Sequence, residues 1–447
     1  MNTQSIWFRA VRLVFLLTAG NCTALFALWQ DALAWKILLG IMSGIAFLFF
    51  CFAHPHTLAG EKKLASLAHG CSLLRTGAAW FCLEILAIIT LALWSPCSLV
   101  IQLCNVGVFL ALCWLWLFMG LLHVALRSAQ VKLPWHVALF FCWWVPVLNL
   151  FLVVYIYRTA QRELHFECAK AELNQVRKES EICKTRYPIL MVHGIFFRDW
   201  QFFNYWGRIP AELIRNGATV FYGKQQSAQS ISGSARELAI QIQTICETTG
   251  AEKLNIIAHS KGGLDCRCAM QEYGAAKYVA SLTTINTPHH GCGFVDDLLK
   301  KVPSGAAQWI ARRYNAIFTK LGDTSPDFLG GVQELTEESC LTFHKSHPCQ
   351  PGVAYLAVMS KMKSARSAPF PLWLGYLLNK RRGGENDGLV PVESARLEGV
   401  PFAMIPETKK RGISHGDMID LMRENIPGFD VREWYSQLVQ QLKRNGF

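Results

Sequence analysis

The sequence predicts an all-α membrane bundle followed by an α/β domain, a mostly parallel sheet with helices on both faces. Three observations predict this. Charges are scarce before about Tyr157, where Leu, Phe, Trp and Ala dominate, and frequent after it, where glycines and turn residues also appear. The first part holds five long apolar runs, about 11–29, 33–53, 77–94, 99–122 and 137–157, and a membrane helix needs ~20 mostly apolar residues. In the second part, short apolar runs end in turn signals, as buried parallel strands do.

A chain of 447 residues accommodates about two to four domains. The predicted division is a helical membrane region at 1–157, a helical linker at 158–184 and an α/β domain at 185–447 carrying a cap at about 294–335. The linker is rich in Glu, Lys, Arg and Ala, and 159–184 contains neither Gly nor Pro, which suits a helix. The 52% apolar content averages two environments, lipid and water.

In the membrane region, Glu84 lies in the third run. A carboxyl in lipid is costly and is expected to face other helices or water, either as a partnered interhelical group or as a functional site. No small-residue cleavage site follows a short apolar core, so a removed signal peptide is not expected. Arg9, Arg12, Lys62, Lys63, Arg75, Arg127 and Lys132 alternate with loops lacking Lys and Arg, those holding Asp31 and Ser95 to Ser98. The positive-inside rule puts the N-terminus inside, and five spans then predict a multi-pass protein with its α/β domain on the extracytoplasmic side. Arg158 and Arg162 oppose that side.

The formal charge of +12 and pI near 9.0 fit a membrane partner better than nucleic acid. Basic residues beside membrane segments fix topology and meet anionic lipid, and no nucleic-acid-binding motif is present. Of the 16 cysteines, about half lie in the apolar region as small apolar side chains. Cys266 and Cys268 lack the second pair that a zinc site needs. Cys340 and Cys349 are candidates for a bridge in an oxidising compartment.

The chemistry lies in the second part. Tyr187-Pro-Ile-Leu-Met-Val-His193-Gly194 is an apolar run ending in His-Gly, followed by Ile195. Lys253-Leu-Asn-Ile-Ile-Ala258-His259-Ser260-Lys261-Gly262-Gly263 predicts a strand, a tight turn and a helix. Ala258 and Gly262 are small enough to flank a nucleophile on a strained turn. Ser260 would then stand at a helix N-terminus, where the dipole and the Lys261 amide favour an oxyanion. An ordinary strand-to-helix turn is the alternative. Downstream, Gly384-Glu-Asn-Asp387-Gly-Leu-Val offers a carboxylate and Gly412-Ile-Ser-His415-Gly-Asp offers a histidine. The order serine, acid, histidine is that of the α/β-hydrolase fold. A serine hydroxyl needs a histidine base, and the carboxylate fixes its tautomer. Glu385 is the alternate acid. His259 is expected to point away from the site as a structural residue, His289 and His290 to shape a nearby loop, and His344 and His347 to be exposed.

These motifs, with Y-W-G-R-I-P-A-E-L-I-R-N-G-A-T-V, T-P-H-H-G, N-D-G-L-V and S-H-G-D-M-I-D, resemble the bacterial triacylglycerol lipases of the true-lipase family, which includes pseudomonad and Burkholderia lipases. The resemblance runs from Tyr187 to the C-terminus. It implies Ser260 as nucleophile, Asp387 as acid, His415 as base, and Ile195 and Lys261 as oxyanion-hole amides. It also implies a lid at about 294–335, rich in Phe294, Leu298, Leu299, Trp309 and Ile310 among Lys and Arg; a packed cap that never moves is the alternative. The family often holds a structural calcium near the histidine loop. Asp417 matches one of its two aspartates, and no acid between Val353 and Gly384 matches the other, so no cofactor is expected.

The implied activity is hydrolysis of lipid or other acyl esters through an acyl-enzyme on Ser260. A phospholipase, thioesterase or acyltransferase with the same triad is the alternative within the class. Outside it stand a non-catalytic hydrolase-like membrane protein and a transporter or sensor built on the spans, with Glu84 as its one support.

Overall fold

The computed structural model describes residues 6–29, 33–53, 62–94, 97–195, 205–226, 228–320, 322–323, 325–409 and 411–447. Asp31 and Ser95, which entered the loop-charge argument, lie outside the described residues. The chain forms two compact units, Met1–Leu173 and Asn174–Phe447.

In the first unit, among the described residues, the helices Leu33–Phe52, Lys62–Trp94 and Leu99–Arg127 are each long and apolar enough to cross a membrane. Trp7–Gly20 and Cys22–Leu28, bent by 65°, together make a fourth candidate. The unit is apolar outside and partly polar inside: Ile45, Leu86, Leu93 and Trp114 are exposed, whereas Arg12, Ser72, Glu84 and Asn105 are buried. The buried polar groups meet one another, as lipid demands. Arg12 donates to the Ser72 hydroxyl at 2.7 Å and to that of Thr76. Glu84 accepts from Trp80 Nε1 at 2.9 Å. Asn105 links Thr23 at 2.7 Å and Asn21 at 2.9 Å.

The expected fifth span, about 137–157, is not a single helix. The helix Leu133–Cys142 ends, a turn follows, and the helix Pro146–Arg177 begins. A proline ring blocks continuation of the preceding turn and suits a helix start. The Trp135 and Tyr155 ring centroids lie 4.3 Å apart. A continuous helix would separate them by roughly 30 Å, at ~1.5 Å per residue. Lower down, Glu163 accepts from the Ser128 hydroxyl and, at 2.8 Å, from the Ala129 amide. The segment is therefore a helical hairpin closed at its base. Its tip exposes Phe140, Phe141, Trp143, Trp144 and Val147.

In the second unit, among the described residues, six parallel strands form one sheet in the order β2-β1-β3-β4-β5-β6. They are β1 (Ile189–Val192), β2 (Val220–Tyr222), β3 (Leu254–His259), β4 (Val279–Ile285), β5 (Ala354–Met359) and β6 (Phe402–Met404). β1, β3 and β4 are buried along their whole length, which is why their sequences are apolar runs rather than alternations. The edge strands β2 and β6 have only three residues each and are partly exposed, which limits open-edge pairing.

Side chains alternate across the sheet. Leu190 and Val192 pack with the helices Ile231–Thr249 and Gly262–Glu272. Ile189 and Met191 pack with Ile209–Arg215 and Val431–Arg444. Local signals set the helix ends: Ser230 accepts from the Gly233 amide at 3.1 Å, and Gly250 closes that helix at φ +70°. The result is an α/β-hydrolase fold. The chain steps outward from β1 to β2 and then restarts at β3 on the other side of β1, so the strand order reverses between β1 and β3. In open α/β sheets the crevice at such a switch point, beyond the strand C-termini, is where ligands bind.

Candidate active site

The two strands flanking the switch point deliver the first residues. β3 ends at His259, and Ser260 follows with φ +56°. A non-glycine residue there is strained, as a nucleophile elbow requires. The Ser260 amide is tied to the Ile285 carbonyl at 2.9 Å, so β4 holds the turn. β1 leads into His193-Gly194-Ile195, and a Cβ on Gly194 would lie 2.7 Å from that of Ser260. Glycine there lets the first loop pass beneath the serine. At Gly262 a Cβ would press on the His193 carbonyl oxygen. The steric need inferred for residues flanking the turn is therefore met by specific neighbours.

His193 and Gln225 clamp this loop reciprocally: His193 Nε2 donates to the Gln225 carbonyl, and Gln225 Nε2 to the His193 carbonyl, each at 3.1 Å. The Gly194 amide donates to the Tyr205 hydroxyl at 3.0 Å. Lys261 caps the helix Gly262–Glu272, and the first amides of a helix lack intrahelical partners. Its side chain is engaged elsewhere. Lys261 Nζ lies 2.6 Å from Asp265 Oδ1 and 3.2 Å from the Ser234 hydroxyl, all buried. Burial lifts the Asp265 carboxyl to about 7, against the pull of Lys261.

Asp387 and His415 come together. His415 Nδ1 donates to Asp387 Oδ2 at 2.6 Å, and the His415 amide donates to the Asp387 carbonyl at 2.8 Å. The other carboxylate oxygen, Oδ1, accepts from the Leu389 and Val390 amides at 2.9 and 2.7 Å. Asp387 is fully buried and its Oδ1 is engaged by two amides, so the carboxyl group is held in one orientation. With Nδ1 donating, Nε2 is the nitrogen available to take a proton. The alternate acid, Glu385, is exposed and pairs with Lys361 at 2.9 Å.

His259 was expected to point away, and its Nδ1 does turn to the Tyr205 hydroxyl, at 2.7 Å. Its ring, however, also lies 4.4 Å from that of His415, a contact no sequence pattern announced. Burial, and the nearness of His415, hold His259 well below the usual histidine range. Burial thus favours the neutral form of His259 beside His415. His289 is fully buried between Arg267 and Thr284, at 3.2 and 3.1 Å. His344 and His347 are not exposed loop residues. Both belong to the end of the helix Glu337–Ser346. His347 is buried against the Phe343 ring at 3.9 Å and pairs with Glu272 at 3.0 Å. Cys268 lies beside that pair, with the three ligand-type atoms within 4.8 Å of one another. All sixteen cysteines are free, Cys340 and Cys349 included.

Ser260 and Ile195 open onto a cavity of about 290 Å³. Its other walls are apolar, among them Val295, Leu298, Ile310, Val332 and Leu389. The helices Gly293–Lys301, Ser304–Lys320 and Phe328–Gln333 cover it, in the stretch where a cap was predicted. Outward they carry Trp309 and Ile317, both exposed, with Lys300 and Lys301 in the last turn of the first helix.

The residues that would hold a calcium do not fit it. Calcium takes six to eight oxygen ligands. Asp417 Oδ2 instead accepts from the Ser414 amide and hydroxyl at 2.8 and 2.7 Å, and Oδ1 accepts from Arg411 at 2.8 Å. Donors, one of them a cation, already cover both oxygens.

Residues 188–325 match the family model described as palmitoyl protein thioesterase. A triacylglycerol lipase of Pseudarthrobacter phenanthrenivorans is 33% identical over 192 residues, 38% of this chain and 59% of that protein. One of Burkholderia plantarii is 33% identical over 192 residues, covering 38% and 53%. The chain thus spans little more than half the length of these curated relatives. Among solved structures, a Staphylococcus hyicus lipase aligns with a TM-score of 0.46 at 16% identity, over 59% of this chain and 97% of that one. A mature Bacillus licheniformis lipase aligns with a TM-score of 0.41 at 21% identity, over 53% and 87%.

Proposed function

We propose that this relative of bacterial triacylglycerol lipases is a membrane-anchored serine hydrolase that cleaves acyl esters of lipids. Ser260 is the nucleophile. His415 takes its proton through Nε2, and Asp387 holds the imidazole and stabilises its charged form. The Ile195 and Lys261 amides receive the developing oxyanion, an effect typically worth ~2.7–4 kcal/mol per donor. The acyl-enzyme is then released by water activated by His415. The observation that carries this reading is a strained serine opening on an apolar cavity while a buried carboxylate fixes the histidine. The apolar wall supports an acyl chain as the bound part. Labelling membranes with a fluorescent fluorophosphonate tests it. The label should vanish in Ser260→Ala and fall sharply in His415→Ala, and an unlabelled wild type, with lipid present, would overturn the assignment. A thioesterase is the second reading, favoured by the family model, and relative turnover of matched oxygen esters and thioesters separates the two.

The broken helix at 137–157 supports a second topology beside the five-span one. The first arm of the hairpin, Leu133–Cys142, is roughly 15 Å long, half a ~30 Å hydrocarbon core. We infer that the hairpin dips into one leaflet and returns, leaving four crossings. Arg9, Lys62, Lys63, Arg75, Arg127, Lys132, Arg158 and Arg162 then share the side of the N-terminus, with Lys36 alone opposite. The conflict posed by Arg158 and Arg162 disappears, and the hydrolase lies on the cytoplasmic side rather than the extracytoplasmic one. Sixteen free thiols suit that reducing compartment. In a bacterial host, alkaline phosphatase fused after Phe447 should be inactive and a fluorescent protein there bright. An active phosphatase would restore the five-span topology.

A further inference from the structure

The loop carrying His415 is held by a cation that belongs to the chain itself. Arg411 reaches three separate segments. Its Nη2 donates to Asp417 Oδ1 at 2.8 Å and lies 3.1 Å from Glu424 Oε2. Its Nη1 donates to the Ser367 carbonyl. Asp417 in turn fixes Ser414, the residue before His415, through both its amide and hydroxyl. Ser367 ends the short turn Ala365–Ser367, four residues before Pro371, which lines the cavity. A single guanidinium thus ties the histidine loop, the following loop and the cavity wall together.

We propose that Arg411 replaces the structural calcium of the related lipases and is the positioning residue for His415. The charge pattern accounts for the exchange. A divalent ion needs several anionic or carbonyl oxygens around it. No carboxylate lies between Val353 and Gly384, and among the described residues the second wall offers the neutral Ser367 carbonyl. One positive charge with forked donors matches that set: two carboxylates on one side and a carbonyl on the other. A guanidinium presents five donors in a rigid plane and does not dissociate. The loop is therefore held whatever the calcium concentration, which suits an enzyme on the cytoplasmic side.

The inference rests on the triad reading for its catalytic consequence, though not for the identity of the cation. It is tested on the detergent-purified full chain with three readouts: terbium luminescence sensitised by tryptophan, thermal unfolding with and without EGTA, and hydrolysis of p-nitrophenyl butyrate. In the wild type, terbium should find no site and EGTA should leave both melting and kcat unchanged. Arg411→Ala should lower kcat about 10–100-fold, the usual effect of losing a group that orients an active-site ligand, with KM little altered. Asp417, Glu424 and the Ser367 carbonyl then lose the cation they share. Terbium should bind this variant, and calcium, but not sodium at equal ionic strength, should raise its melting point and part of its kcat. Arg411→Lys, with one head for three acceptors, should fall between the two, and it supplies the comparison if Arg411→Ala does not fold. A wild type that melts lower in EGTA, or binds terbium, overturns the proposal. So does an Arg411→Ala chain with wild-type melting and kcat. A wild type that hydrolyses nothing refutes the triad reading instead, while terbium and melting still decide on Arg411.

Discussion

Asp387 permits a substitution that separates catalysis from folding. Its Oδ1 serves two backbone amides at 2.9 and 2.7 Å, and its Oδ2 serves His415 at 2.6 Å. In Asp387→Asn the amide oxygen must keep facing the two amides, because an NH₂ there would meet donors. The NH₂ then faces His415 Nδ1 and forces that nitrogen to accept. The ring proton moves to Nε2, the nitrogen that should take the proton of Ser260. The expected loss in kcat is about 10⁴-fold, from the wrong tautomer alone, or roughly 5.5 kcal/mol of transition-state stabilisation. Stability should change by only about 1 kcal/mol, one hydrogen bond altered in a preserved shape. Asp387→Ala makes the opposite test of the fold. It strips acceptors from the buried Val390 amide and the part-buried Leu389 amide, for a loss of roughly 1–3 kcal/mol from the first and less from the second. Hydrolysis of p-nitrophenyl butyrate and thermal unfolding read the two effects. An Asn variant within tenfold of wild-type kcat would refute the tautomer argument. An Ala variant melting no lower than Asn would refute the account of the buried amides.

Two further outcomes follow from the geometry. His259 and His289 are kept neutral, chiefly by burial, with folded values well below those of free histidine. Below about pH 6.5 the unfolded chain binds protons at these sites and the folded chain does not, so stability falls as pH drops, by roughly 1.4 kcal/mol per pH unit for each. Thermal midpoints between pH 7 and 5 should show it, and a flat profile would show that these rings accept protons in the fold. Val295→Phe narrows the acyl cavity, and the preference for short over long p-nitrophenyl esters should shift by about tenfold; an unchanged chain-length profile would place the acyl chain elsewhere.

The proposed triad was legible in the sequence because each member needs a residue type at a turn. Ala258 and Gly262 flank Ser260 for steric reasons, Asp387 sits in a tight turn whose own amides hold it, and His415 follows at a loop. The central strands were visible for a similar reason, since burial on both faces leaves unbroken apolar runs. The hairpin was not visible. Composition cannot tell 21 apolar residues that cross from two arms that fold back, because lipid surrounds both. Pro146, behind Trp143, Trp144 and Val145, was the one local sign of the break. The contact of His259 with His415 and the burial of His347 escaped as well, since both join elements far apart in the chain. Arg411 carried no signal of its own. The missing acid between Val353 and Gly384 was visible, but what took its place was not.

The cavity beneath the cap has one further consequence. Among the described residues lining it, Ser260 alone carries a hydroxyl, and none carries an amide or a charged group on its side chain. Such a wall measures the bulk and length of an oily chain and is blind to the identity of the alcohol attached to it. On the proposed activity, none of these described wall residues would tell a glyceride from a simple alkyl ester. Choice among lipids would then be made by address, by which esters share the leaflet with the anchor and diffuse to the mouth. A pure enzyme in detergent should accordingly be catholic about leaving groups, and any narrowness seen in the cell would be a property of the bilayer it sits in.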